Sequence, residues 1–370
     1  MKPSSVVIFI SNPFGFGPTG KTVALIEELY KAWPGQIVYA ASPMCLETLP
    51  EYIKDKIQIE NINERNEESL RSVYKKYDNP QIVCTLNRLA IKTAKSMGLK
   101  AVFVDSLAWM WKEIPPEYLM ADTYYCFNLF GLKNRIPKKD NIKVISPVFG
   151  ILPTIQTAKR PFVLFHIGGF KNPFQDKMSF SYLNLLVDSF CSFENDTKII
   201  VTGGKDAVTY MDSQITKKNF RFCTLGRNDF LEYLSKTSHF VTTSGLTATL
   251  EAFALHAPTS FIPPTNLSQL NILKLMSDRG CADSKMEWSS ITGSEMNMDG
   301  LSEIEAVPLF NQVAKDTFKN KTSHNRFIAD LNSLMATIPD YVKQTKFIKD
   351  AGTNGSETIV TDLLPQLTTL

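Results

Sequence analysis

The sequence predicts an α/β protein of two doubly wound, Rossmann-like domains, and three observations carry that expectation. Short apolar runs, among them Val6–Ile10, Ile37–Ala40, Gln81–Cys84 and Ala101–Val104, alternate with amphipathic stretches of helical period. Parallel strands buried under helices on both faces read this way. The alternation stops at 147–161, where three prolines and a glycine fall among polar residues, and restarts at Phe162. A chain of 370 residues also exceeds the ~250–300 at which single cores stop growing. We therefore place an N-terminal domain at 1–150, a second at 161–340, and C-terminal helices at 341–370 that pack back on the first. The two domains are expected to face each other across a cleft.

In the first domain, strand Val6–Ile10 leads through the glycine-rich turn Asn12–Gly20 into a helix ending near Trp33, with Val23, Ile26, Leu29 and Tyr30 on one face. A second strand, Ile37–Ala40, precedes one helix at Cys45–Lys54 and a third strand at Ile57–Ile59. The charged helix Glu67–Tyr77, strand Gln81–Cys84 and helix Leu89–Met97, stopped by Gly98, come next. The fifth strand, Ala101–Val104, ends at Asp105, and short strands at Thr123–Phe127 and Lys143–Ile145 complete the sheet. The second domain repeats the scheme. Its strands are Phe162–Phe165, Lys198–Val201, Phe220–Cys223, His239–Thr242 and Thr259–Ile262. Its helices are Phe180–Phe193, Ala207–Thr216, Asp229–Lys236, Leu246–Leu255 and Asn266–Arg279. From Leu301 the chain reads as helical, with Phe327, Leu331 and Leu334 sharing a face.

Composition excludes several classes of function. A net charge of +3 with dispersed Lys and Arg does not make the dense basic face of a nucleic-acid binder. No apolar run reaches the ~18–20 residues of a membrane span, which leaves room only for peripheral membrane contact. The run Val6–Ile10 is too short for a signal peptide. Six cysteines stand far apart without a CxxC pair, as expected of buried thiols in a reducing cytoplasm. Four histidines show no metal-ligand spacing, and no metal site is expected.

The stretch Thr242–Glu251 carries the most chemistry. Gly245 falls at a strand-to-helix turn, where helix N–H groups and the positive end of the helix dipole lie at the sheet's carboxyl edge, a seat for phosphate. Glu251 follows about two turns into the helix, within reach of a sugar hydroxyl. Two other strand ends are similarly rich in small residues, His166-Ile-Gly168-Gly169 and Thr202-Gly203-Gly204, and a second polar loop at 263–271 opens another helix. Ligands of open α/β sheets bind at such carboxyl ends. Together these loops suggest a diphosphate site.

Ser244-Gly-Leu-Thr-Ala-Thr-Leu-Glu251, followed by Pro263-Pro264 and by Asn266-Leu-Ser-Gln269, resembles the donor signature of GT-B glycosyltransferases of the MurG-like and UDP-glycosyltransferase branch. The resemblance implies that Ser244, Gly245 and Thr247 hold a donor diphosphate, Glu251 the ribose, and Asn266 with Gln269 the sugar hydroxyls. It places His166, Gly168, Gly169 and Gly203 beside the donor and Arg227 near the nucleotide base. Gly15, Gly17 and Thr19 fall on the family's acceptor loop. The implied activity is transfer of a sugar from a nucleotide-diphosphate sugar to a small-molecule or cell-envelope acceptor, with the donor as substrate and no cofactor. No Asp-x-Asp occurs, so loop N–H groups, the helix dipole and Arg227 or Lys171 would neutralise the diphosphate without metal. Many inverting members carry a histidine base in the first loop, and none precedes His166 here. Asp105, at a strand's carboxyl end, is the candidate base, and Trp109, with Trp111, would line the acceptor pocket.

Alternatives remain open at this point. A sugar-nucleotide 2-epimerase shares the fold, and a silent nucleotide-sugar-binding subunit would keep the donor site. The segment Gly15-Phe-Gly-Pro-Thr-Gly-Lys21-Thr22 also fits the P-loop pattern letter for letter, with Asp105 then reading as a magnesium ligand. Against this, Pro18 removes an N–H from a loop that works by offering N–H groups.

Overall fold

The computed structural model describes residues 6–14, 16–47, 49–156, 158–168 and 180–368. Two compact units divide the chain: Met1–Leu152 with Lys349–Leu370, and Pro153–Ile348.

The first unit runs β1 (Val6–Ser11), α1 (Gly17–Ala32), β2 (Gln36–Ala41), α2 (Pro43–Leu46), α3 (Glu51–Lys54), β3 (Gln58–Asn61), α4 (Glu67–Tyr74), β4 (Gln81–Thr85), α5 (Arg88–Ser96), β5 (Ala101–Asp105), β6 (Thr123–Phe127) and β7 (Ile142–Ile145). Its seven strands are parallel in the order β3-β2-β1-β4-β5-β6-β7. Every residue of β1, β4 and β5 is buried, which is why those strands read as unbroken apolar runs instead of alternating ones. Asparagine starts two of the helices: Asn66 Oδ1 accepts from Ser69 N at 2.8 Å, and Asn87 Oδ1 from Ala90 N at 2.9 Å. Such caps satisfy N–H groups that have no partner inside the helix. The single helix expected at Cys45–Lys54 is instead two short ones. Pro50 caps the second, and a proline disfavours helical geometry in the residue before it.

The second unit runs β8 (Arg160–His166), α6 (Phe180–Ser192), β9 (Lys198–Thr202), α7 (Lys205–Gln214), β10 (Phe220–Phe222), α8 (Arg227–Lys236), β11 (Thr237–Thr243), α9 (Leu246–Ala254), β12 (Thr259–Ile262), α10 (Leu267–Ser277), α11 (Trp288–Thr292), α12 (Glu303–Lys319) and α13 (Lys321–Ala336). Five parallel strands lie in the order β10-β9-β8-β11-β12. Helices α6, α12 and α13 bury one face of the sheet: Phe165, Leu186, Phe190, Phe310, Phe327 and Leu331 belong to one apolar cluster. The helical spacing of Phe327, Leu331 and Leu334 is thus a core stripe.

Two helices end the chain, α14 (Val342–Ala351) and α15 (Gly355–Thr368). Gln344, at the start of α14, donates to Thr259 O at 2.8 Å and Cys281 O at 3.0 Å, within the second unit. Helix α15 packs on α1 within the first unit. There Asp362 accepts from Tyr125 Oη at 2.9 Å and Lys143 Nζ at 2.7 Å.

Gly355 lets α15 approach the segment after β7. A Cβ at this position would stand 2.2 Å from Ser146 O and 2.6 Å from Pro147 O, so backbone would have to move. Gly355→Ala is expected to cost about 1–3 kcal/mol by overpacking, read as a lowered midpoint in urea or thermal denaturation.

Candidate functional site

The residues singled out in the second domain converge on one edge of its sheet. In the order β10-β9-β8-β11-β12, β8 connects onward toward β9 and β11 toward β12, in opposite directions. The strand pair β8 and β11 is therefore the switch point, where connections diverge and leave a crevice at the carboxyl ends. His166 is in register with Thr202 on one side and Thr242 on the other. Its Nδ1 lies 3.3 Å from Thr242 Oγ1, and its ring is 4.8 Å from that of Phe230.

Just beyond His166 the backbone turns sharply. Gly168 has φ +70°, a left-handed conformation that favours glycine, and its carbonyl accepts from Gly204 N at 2.9 Å. Gly203 is needed for close approach: a Cβ there would meet Ile167 Cγ1 at 2.4 Å and Gly168 O at 2.8 Å. Loops 166–168 and 202–204 are thus locked together through backbone. Gly169, Lys171 and, in the first unit, Gly15 lie outside the described residues.

Across the crevice, Gly245 is the N-cap of α9 and carries no side chain to cap it. A Cβ built there would come no closer than 4.0 Å to another atom, so the glycine keeps this face open; tight packing does not require it. Thr247 lies in the first turn of the same helix. Ser244 is buried, and its hydroxyl donates to Gln269 O at 2.7 Å. That hydroxyl therefore ties α9's entry to α10.

Gln269 and Asn266 meet at the start of α10. Asn266 Oδ1 caps the helix, accepting from Gln269 N at 2.9 Å. Gln269 Oε1 accepts from Thr265 N at 2.8 Å, while its Nε2 donates to Thr243 Oγ1 at 3.4 Å. The two side-chain oxygens are thus engaged within the loop, and the amide nitrogens are the groups suited to meet a ligand. A residue that the sequence reading did not single out joins them. Glu303, first residue of α12, places its carboxylate 3.2 Å from Ser268 N and 3.3 Å from Ser268 Oγ. Burial raises its pKa to about 7, opposed by those hydrogen bonds. No local pattern marks it, because its partner Ser268 belongs to a distant helix.

Glu251 and Arg227 form the most buried ion pair among the described residues of the unit. Arg227 opens α8 and Glu251 lies in α9, with Nη2 2.8 Å from Oε1 and side chains 6% and 4% exposed. That distance makes an ion pair, although the angle is not that of a hydrogen bond: Arg227 Nε and Glu251 Oε1 have no hydrogen-bond partner among the described residues. At 2.8 Å the Coulomb attraction does not depend on that angle, so this is an ion pair whose hydrogen-bonding capacity is incompletely met.

In the first unit, three segments singled out in the sequence make mainly intramolecular contacts. Asp105 is fully buried and accepts from Leu107 N at 2.6 Å, Trp111 Nε1 at 2.8 Å and Tyr124 Oη at 2.7 Å. Burial raises its pKa and these donors lower it. A carboxylate so enclosed anchors the turn after β5. Trp109 is a packing residue: it is buried, donates to Ser106 O at 2.9 Å and stands edge-on to Phe130. Among the described residues the P-loop letters are helical and do not cradle a phosphate. Gly17, Pro18, Thr19 and Gly20 already belong to α1, and Lys21 is buried with Nζ 3.0 Å from Gly17 O. Thr22 donates to Thr85 Oγ1 at 2.9 Å, a packing contact to β4.

Comparisons with solved structures agree with this architecture. MurG of Acinetobacter baumannii is 15% identical and superposes with a TM-score of 0.51 over 98% of this chain and 99% of its own. Arabidopsis thaliana UGT89C1 complexed with UDP gives 11% identity and 0.58 over 99% and 100%. CalG4, the calicheamicin glycosyltransferase, gives 12% and 0.54 over 100% and 99%. The chain has the GT-B fold. At these identities the likeness is one of fold. No family model matches the sequence, and no curated protein does. Among the described residues no helix is long and apolar enough to cross a membrane, and no three His, Cys, Asp or Glu side chains gather as metal ligands.

The carboxylate of Glu303 makes stability depend on pH with a definite sign. Its folded pKa, about 7, lies above the ordinary 4.5, so across that window the folded state binds more protons than the unfolded. Stability is expected to fall as pH rises from about 4.5 to about 7, the loss being complete above about 7. Glu303→Gln should remove this component, so that denaturation midpoints of wild type and variant diverge progressively over that range in favour of the variant.

Proposed function

We propose that the chain is a glycosyltransferase that takes a nucleoside-diphosphate sugar as donor, and that the carboxyl edge of the second sheet binds it. The observation that carries this reading is the switch point itself. Gly168, Gly203 and the uncapped start of α9 meet there, with a buried carboxylate, Glu251, farther along α9. The fold likeness to UGT89C1 complexed with UDP and to the calicheamicin glycosyltransferase CalG4 supports it.

In this reading the diphosphate lies against the loop carrying Gly168, the Gly203–Gly204 turn and the first turn of α9, where Thr247 sits. The end of a helix carries about half a positive charge, and its N–H groups are already in place before a ligand arrives. As the glycosidic bond breaks, negative charge accumulates on the departing diphosphate, and fixed donors stabilise that change without reorganising. Glu251 accepts the ribose hydroxyls, with Arg227 beside it. The amide groups of Asn266 and Gln269 face the sugar hydroxyls, and Ser244 contributes by bracing α10. Backbone groups would serve as counter-charge in place of a metal, and the donor enters as a substrate with no cofactor required. A small-molecule or cell-envelope acceptor is expected at the first unit, near Gly17 and Thr19. Asp105, held by three donors, serves in this reading to brace the turn after β5.

Calorimetric titration with UDP in the absence of metal tests the reading. Hydrogen bonds to a charged group contribute about 1.5–3 kcal/mol, so Glu251→Gln should weaken UDP about 10- to 150-fold while the variant remains folded by circular dichroism. Unchanged affinity would overturn the assignment. Turnover of the donor without any acceptor would instead identify an epimerase.

A further inference from the structure

The reading of the second unit as a donor site leaves Arg227 without a derived role, and its geometry supplies one. Arg227 is the first residue of α8, directly after Gly226, and the buried carboxylate it faces belongs to another helix, α9. Ion pairs removed from water recover their desolvation cost only when the remaining hydrogen-bonding capacity is met. Here it is not met: Arg227 Nε and Glu251 Oε1 are both buried without a hydrogen-bond partner among the described residues. A pair chosen for stability alone would be better replaced by apolar side chains. Buried polar groups left unsatisfied call for a specific explanation, and a ligand that completes them is one. A ribose presents two adjacent hydroxyl donors, which suit a carboxylate already held on one side, and oxygen acceptors, which suit a guanidinium N–H.

We propose that Arg227 is a positioning residue for nucleoside recognition: it holds the Glu251 carboxylate fixed in a buried place, so that the pair reads the ribose hydroxyls of the donor. Two consequences follow from the chemistry. The site should prefer ribonucleoside diphosphates over their 2′-deoxy counterparts. That preference should depend on Arg227 even though the diphosphate seat, at Gly168, Gly203 and the start of α9, does not include it.

The test is calorimetric titration of the full chain with UDP and with 2′-deoxy-UDP. Wild type should favour UDP by about tenfold or more, the worth of one charge-assisted hydrogen bond. Arg227→Gln should bring the ratio of the two affinities to within about twofold while binding of both nucleotides remains measurable. Arg227→Lys, which keeps the charge and loses the planar fork, should restore part of the ratio. The double variant Arg227→Met/Glu251→Leu replaces the pair with apolar groups and keeps the fold testable if the single variant does not fold. It too should bind both nucleotides without preference. A ratio unchanged in Arg227→Gln, or unchanged in the double variant, would overturn the proposal, because Arg227 would then be structural only. Equal binding of the two nucleotides by wild type would overturn it as well. Absence of any UDP binding by wild type is a separate result that would remove the donor-site reading itself.

Discussion

Every feature of the candidate site depends on one topological constraint, the placing of β8 beside β11 in a parallel sheet. Parallel strands must be joined by crossovers, and crossovers of one hand leave the sheet in opposite directions wherever the strand order reverses. At that place the chain after β8 and the chain after β11 separate, and the backbone between them has no further strand to pair with. Its N–H groups must be met by something else. The residues found there follow from this need. Gly168 takes a left-handed turn, Gly203 permits the backbone contact between neighbouring loops, and Gly245 leaves the start of α9 unobstructed. Each glycine answers a different requirement of the same crevice.

Carboxylates distinguish what is structural from what is available. The chain buries Asp105, Glu251 and Glu303 to differing degrees and treats each differently. Three neutral donors surround Asp105, and a carboxylate with its acceptor sites so filled has no reason to meet a ligand. Glu303 rests on the first turn of α10, where helix N–H groups would otherwise need a partner, and its role is to close that end. Glu251 has a full opposite charge beside it but an incomplete set of hydrogen bonds. Of the three, it is the one whose environment is unfinished without another molecule.

Much of this was legible in the sequence, and the failures have identifiable causes. Buried parallel strands announce themselves as largely apolar runs, so β1, β4 and β5 could be placed from residue type alone. The turn at Thr243–Gly245 was legible because glycine after a strand and before a helical pattern has few other readings. Contacts across the sequence were not legible. The pairing of Arg227 with Glu251 joins two helices, and that of Glu303 with Ser268 joins α12 to α10; neither leaves a periodic trace. Position alone misled at Asp105 and Trp109. A carboxylate at a strand's end and an indole beside it suit a site, but Tyr124 and Trp111 enclose the first and Phe130 packs against the second.

The P-loop letters at Gly15–Thr22 show why a motif needs its geometry. A phosphate loop works when several successive N–H groups converge on one point before the helix starts. Here the helix starts too early. Pro18 occupies its first turn, where a missing N–H costs nothing and the fixed φ favours the helical course. Gly20 N already bonds Phe16 O at 2.9 Å, so an amide the motif would offer to phosphate is used inside the helix. Lys21 is then carried into the buried face, where it reaches Gly17 O, and Thr22 turns to Thr85 on β4. The proline that makes the segment a good helix start is the same residue that prevents it from cradling a phosphate. The second sheet meets the same chemical need by another route, with glycines at strand ends and a helix that begins only after the turn is complete.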